Sequence, residues 1–249
     1  MATQPQAAEQ PEQDPLLRCA ERINASLSGV FSRIDRLSQA TLQIWRGLPS
    51  APSARDMVAG VRPLIDKTLR NADGLLQGGG IILEPGTLQD KEMYAEWRCL
   101  NQAGRITQLA LSFNRKSESY YDYRNMPWFT RPQQSGRSSI TGPYIDLYGQ
   151  DMNILTFTSP LHLHGRFIGI AGIDIISSRF EAILIAHLVR LPHEALIISE
   201  EDRVIAANSA GFVAGEIFGQ GGFHGGQSRR IEIGEGRARW GLIEYAKAT

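Results

Sequence analysis

Apolar residues follow two rhythms along this chain, and the order of those rhythms restricts what it can fold into. From Leu16 they run Leu16, Ala20, Ile23, Leu27, Val30, Ile34, Leu37, Thr41 and Ile44. Alternating steps of four and three place one stripe along one side of a long helix. Asp14-Pro15 offers a capping carboxylate and a proline suited to a first turn, and Gly47-Leu48-Pro49 is a stop. Leu17, Phe31 and Trp45 widen the stripe, so it suits either a dimerising seam between two chains or packing against the chain's own domain. A second helix is expected from Ser53 to about Asn71, with Met57, Val61, Ile65 and Leu69 on one face and a bend or break near Arg62 ahead of Pro63.

Past Asp73-Gly74 and Gly78-Gly79-Gly80, taken as breakers or a close backbone approach, the texture turns to strands. Lys91–Leu100 and Arg105–Phe113 form one hairpin around Asn101–Gly104, and Asn153–Pro160 and Phe167–Ile176 form another around His164-Gly165. A helix is expected from Ser178 to about Val189. Two shorter hairpins follow, around Glu201-Asp202 and Gly234–Gly236, with a mobile glycine-rich stretch at Gly219–Gly226. Helices first and antiparallel hairpins after them define an α+β fold. The expected divisions are a disordered tail at residues 1–13, helices at 14–75, a larger module at 76–192 and a smaller one at 193–249.

Composition excludes several functions. Lys+Arg and Asp+Glu balance at 26 each, so no global field draws in nucleic acid. Cys19 and Cys99 lie far apart, which is neither a disulfide framework nor a zinc spacing. His162 and His164 could share a face but have no third ligand at a useful spacing, so no metal and no cofactor are expected. No nucleophile elbow or catalytic triad motif stands out, and an enzyme is not expected. The N-terminus has no cationic start or apolar core of a signal segment, and no stretch is long enough to span a bilayer. The resulting expectation is a soluble, cytoplasmic protein with no membrane partner.

The informative segment is Ser117 to Met152, which carries Tyr120, Tyr121, Tyr123, Trp128, Phe129, Tyr144 and Tyr148. A long irregular segment with this aromatic load suits a pocket wall rather than disorder. Asp146 closes the segment, and Asp174 interrupts the apolar strand Phe167–Ile176, sharing a face with Gly172, whose small size leaves space beside it. A carboxylate buried there needs a partner: Arg124, Arg131, a backbone amide, or the ammonium of a ligand.

YYDYRNMPWF, then GPYIDLYG, then LTFTSPLHLHGRFIGIAGIDI resembles, in that order, the core of the Cache superfamily of sensor domains. AEWRCLNQAGRITQLALSFN is similar to the strand pair leading into it, and ALIISEEDRVIAANS to the start of the second module of a double-Cache domain. The resemblance implies a PAS-like antiparallel sheet beside a long N-terminal helix, with a small molecule bound in the larger module. It further implies that Trp128 and Phe129 wall the pocket, that Tyr121 and Tyr144 stack or hydrogen-bond, and that Asp146 and Asp174 take an amino group. Tyr123 belongs to the same aromatic set. In amino-acid-sensing members an arginine two residues before the tryptophan holds the ligand carboxylate; here that position is Met126, and Arg124 is the nearest arginine. The expected ligand is accordingly a cationic amine or polyamine. The alternatives are an amino acid whose carboxylate is held by Arg124, or a dimeric interaction protein with no ligand. Expected partners are the small molecule, a second copy through the N-terminal helix, and a separate signalling or regulatory protein.

Overall fold

A computed structural model of the chain describes residues 14–146, 152–219 and 228–245. The expected tail at 1–13, Tyr148 and all but the first residue of the glycine-rich stretch lie outside them.

Helix α1 (Pro15–Gly47) starts where the sequence indicates, with the Asp14 carboxylate accepting from the Leu16 N–H at 3.0 Å. Its stripe is consumed within the chain. Leu16, Ala20, Ile23, Leu27, Val30, Ile34, Leu37 and Thr41 are all buried, and Ile44 is partly so. Of the two uses the spacing allowed, packing within the chain is the one taken: the stripe faces the second helix and the central strands.

Helix α2 (Ala54–Arg70) is closed at its start by a reciprocal cap between Ser53 and Asp56 and runs unbroken through Pro63. Proline there forgoes one backbone hydrogen bond, which locally disfavours the helix. Full burial of Met57, Val61, Ile65 and Leu69 against the core overrides that penalty, since helices in proteins draw most of their stability from such a face.

The larger sheet is antiparallel throughout, in the order β3 (Ile106–Gln108), β2 (Tyr94–Leu100), β1 (Leu76–Leu83), β6 (Arg166–Ile176), β5 (Asn153–Leu163), β4 (Ser139–Ile145). Strand β1 contains the three glycines, which do not break it; of the readings the sequence allowed, the close backbone approach is the one found. A Cβ at Gly79 would come within 3.0 Å of the Gly172 carbonyl oxygen, and one at Gly80 within 2.0 Å of the Glu96 carbonyl oxygen. The segment expected to be irregular also holds structure, a 3-10 turn at Tyr123–Asn125, helix α3 (Pro127–Ser135) and β4. Pro127 opens α3 and Gly136, in the left-handed region at φ 65°, ends it.

Helix α4 (Ser177–Leu188) leads to a second antiparallel sheet, ordered β8 (Val204–Ala207), β7 (Glu194–Ile198), β10 (Trp240–Tyr245), β9 (Ser228–Ile233). One core joins both sheets: Phe157 meets Phe31 of α1 and Phe180 of α4 edge-on, and Phe180 meets Trp240 of β10. In β6, Ile173 and Ile175 face this helical core, while Ile170 belongs to a separate apolar cluster on the far side of the sheet. That far side carries the candidate site.

Candidate functional site

Antiparallel register builds the floor of the site. Trp97 on β2, Gly80 on β1 and Gly172 on β6 stand in one row across three strands; Gly78, Asp174 and Thr156 stand in the next. With no side chain at Gly80 or Gly172, the Trp97 ring extends across β1 towards β6. A Cβ at Gly172 would lie 3.0 Å from Trp97 Cη2. The space expected beside Gly172 is thus taken by an indole. Its Nε1–H donates to Asp174 Oδ2 at 3.1 Å.

Asp174 is 5% exposed. Its other oxygen, Oδ1, accepts from the Thr156 hydroxyl at 2.7 Å, and Thr156 Oγ1 lies 2.7 Å from the Tyr144 hydroxyl. Among the described residues the carboxylate meets neutral donors and no cation. Burial pushes its pKa up to about 7, with the nearby Asp146 charge adding to the rise while the Thr156 and Trp97 donors oppose it. Tyr144 is held well above the usual phenol range by burial first, and then by the Asp174 charge.

Above this floor lies a narrow cleft of about 30 Å³ lined by Tyr121, Trp128, Tyr144, Asp146, Asp174 and Trp97, with Ile82, Leu109, Leu111 and Thr156 completing it. At that volume a ligand of amino-acid size requires the walls to part. No lysine or arginine is among the described residues lining it.

Five of the eight residues singled out from sequence line this cleft; Tyr123, Phe129 and Arg124 do not. Tyr123 is fully buried behind the wall, its hydroxyl donating to the Leu83 carbonyl at 2.6 Å, and Phe129 packs between Tyr123, Trp128 and Phe167. Phe129 backs the Trp128 ring and Tyr123 backs Phe129, and neither lines the cleft. Arg124 turns outward in a bidentate pair with Asp122, because the Asp122 side chain also caps the 3-10 turn through the Arg124 amide and stands ready beside it. Arg131 pairs with Glu201. Neither arginine reaches Asp174. Trp97 and Thr156 were missed. Their only trace in the sequence is cross-strand: a tryptophan in β2 opposite glycines in β1 and β6, visible once register is known. His162 packs against the Phe167 ring, and no group of three potential metal ligands occurs among the described residues.

A long helix behind a six-stranded antiparallel sheet, with an aromatic cleft on the open face and a smaller sheet following, is the build of a small-molecule sensor module. Residues 61–182 match the family described as methyl-accepting chemotaxis protein-like, first PDC sensor domain, and this part of the chain belongs to that branch of the Cache superfamily. A stretch of 57 residues, 22% of the chain, is 37% identical to the methyl-accepting chemotaxis protein TlpQ of Pseudomonas aeruginosa and covers 8% of that protein's length. The fold is similar to the ligand-binding domain of the Pseudomonas fluorescens chemoreceptor CtaA solved with L-valine (TM-score 0.57, 18% identity, 93% of this chain and 94% of that one). It is also similar to that of the Pseudomonas aeruginosa amino acid chemoreceptor PctB with L-Arg (TM-score 0.58, 16% identity, 94% and 85%). A third similar structure is the extracellular domain of a putative histidine kinase, soHK1S-Z6 (TM-score 0.58, 13% identity, 92% and 89%). At these identities the likeness concerns the fold.

These findings overturn the expected cytoplasmic location. The family is that of receptor sensor domains, and a neighbour covering nearly the whole chain is an extracellular domain. No described helix is long and apolar enough to cross a membrane. The family and its neighbours are sensory rather than enzymatic.

Proposed function

We propose that the cleft binds a small cationic amine or polyamine, and that this module reports its presence to a signalling partner. The observation that carries the proposal is Asp174: a buried carboxylate facing a cleft, held by two neutral hydrogen-bond donors, with no basic residue among the described lining. An ionised carboxylate so placed is costly unless a cation joins it. A ligand ammonium supplies that charge, and the faces of Tyr121, Trp128 and Tyr144 suit the polarised methylenes beside it. Asp146, on the same cleft, favours a second ammonium. CtaA and PctB were solved with ligands that carry an amino group as well as a carboxylate. The amine half of such a ligand finds its counterpart here in Asp174. For the carboxylate half, Arg124 would have to leave Asp122 and turn inward, so a whole amino acid is the weaker reading.

A thermal-shift screen of alkyl amines, amino acids and organic acids tests this. Amines should raise the melting temperature of the wild type and leave Asp174→Asn unmoved. Stabilisation by organic acids alone sinks the amine reading. Stabilisation by amino acids that disappears in Arg124→Ala turns it into the amino-acid reading.

A further inference from the structure

A second concavity lies away from the aromatic cleft, where the two sheets meet. It measures about 560 Å³ and is walled on one side by the end of α3 and the start of β4, on the other by the β7–β8 and β9–β10 turns. A groove of about 420 Å³ continues from it along α1, sharing Arg137 and Arg237. Four arginines line it: Arg131 near the end of α3, Arg137 just ahead of β4, and Arg237 and Arg239 in the β9–β10 turn. Two are held in place, Arg131 by Glu201, and Arg237 by both oxygens of Asp35 at 2.9 Å while it lies 5.3 Å from the Phe31 ring centre. The other two, Arg137 and Arg239, are exposed and have no side-chain hydrogen bond or ion pair among the described residues. Glu200, at the tip of its turn, is the remaining carboxylate on the rim. In the groove, the Ser38 hydroxyl is shielded from solvent and has no hydrogen-bond partner among the described residues.

We propose that this junction is a second site, which binds a small multiply charged anion bearing carboxylate or phosphate groups. Guanidinium presents a planar fork of donors that matches the paired oxygens of either group. Two such forks without a carboxylate of their own line one concavity, where a multiply charged anion can lie against both. The concave shape and the balanced charge of the chain, 26 basic and 26 acidic residues, favour a small ion over an extended polyanion, which needs a broad basic face. The ion would bridge the larger module through Arg137 and the smaller through Arg239, adding a link to the Arg131–Glu201 pair that already crosses the junction.

The test is calorimetric titration of the protein with citrate, and separately with inorganic phosphate, at constant ionic strength, with chloride as control. Saturable binding is expected from at least one, and which one identifies the chemistry. The double variant Arg137→Ala/Arg239→Ala should weaken it about tenfold or more, given the worth of charged hydrogen bonds. Asp174→Asn should retain it. Circular dichroism of the double variant establishes that it is folded, and Arg137→Lys/Arg239→Lys, which keeps the charge but loses the fork, should show intermediate affinity. Three outcomes overturn the proposal: heats no larger than those of chloride, unchanged binding in the folded double variant, or loss of binding in Asp174→Asn, which would place the anion in the aromatic cleft.

Discussion

Replacing Asp174 with Asn should stabilise the unliganded protein at pH 8 and do little at low pH. The carboxyl is carried by burial from its ordinary 3.8 to about 7. Between those values the folded state holds a proton that the unfolded state has released, so stability falls as pH rises through this window. Roughly three pH units at ~1.4 kcal/mol each give a ceiling of about 4 kcal/mol. About 2 kcal/mol of that is spent by pH 5, where the unfolded carboxyl is already mostly ionised, and a further ~2–3 kcal/mol goes by pH 8. Asn removes the titration while keeping the shape. Its oxygen can accept from Trp97 Nε1–H and its amide can donate to Thr156 Oγ1, with the Thr156 proton turned to Tyr144; both contacts exist now at 3.1 and 2.7 Å. Urea unfolding of both proteins at pH 5 and pH 8 measures this. The variant should gain ~2–3 kcal/mol on the wild type between the two conditions, or about 5–10 °C in melting temperature for a chain of this size. A difference between variant and wild type that is the same at both pH values would refute the reasoning, as would one that shrinks towards pH 8.

Amine affinity should rise about tenfold per pH unit up to about 7 and level off above it, because the ammonium binds the ionised form of Asp174; titrations from pH 5.5 to 8.5 measure this. Trp97→Phe removes one of the two donors that favour the ionised carboxylate, so that plateau should begin at higher pH, with a stability loss of ~1–3 kcal/mol at pH 8. Gly172→Ala places a Cβ 2.9 Å from the Phe157 carbonyl oxygen and 3.0 Å from Trp97 Cη2. Denaturation should show a cost of ~1–3 kcal/mol, and amine titration a marked loss of affinity as the indole is pushed from Asp174.

The helix seam, the hairpins and the acidic residues of the cleft were legible because each is a local pattern: spacing from Leu16, turns at Asn101–Gly104 and His164-Gly165, and charges inside an apolar strand. What was not legible depends on neighbours distant in sequence. The glycines of β1 suit a break or a close approach, and what they approach, Glu96 and Gly172, is brought beside them only in the folded sheet. Pro63 looks like a helix stop because the buried face that outweighs it is tertiary. The stripe on α1 suits two chains or one, and only the presence of β5 and β6 beside it decides. Tyr123, expected in the pocket as one of an aromatic set, and Phe129, expected there from the resemblance, both lie one layer behind it by their contacts. Trp97 carried no local signal. It reaches Asp174 because two glycines, in strands remote from it in sequence, clear its path.

Crystallising the protein with a short alkyl diamine at pH 8 tests the central claim most directly. The expected result is the diamine in the cleft between Trp97, Trp128 and Tyr121, with one nitrogen about 2.7–3.2 Å from an oxygen of Asp174 and the other towards Asp146. A diamine bound elsewhere, or an organic acid occupying the cleft with Asp174 donating a proton to it, would contradict that claim.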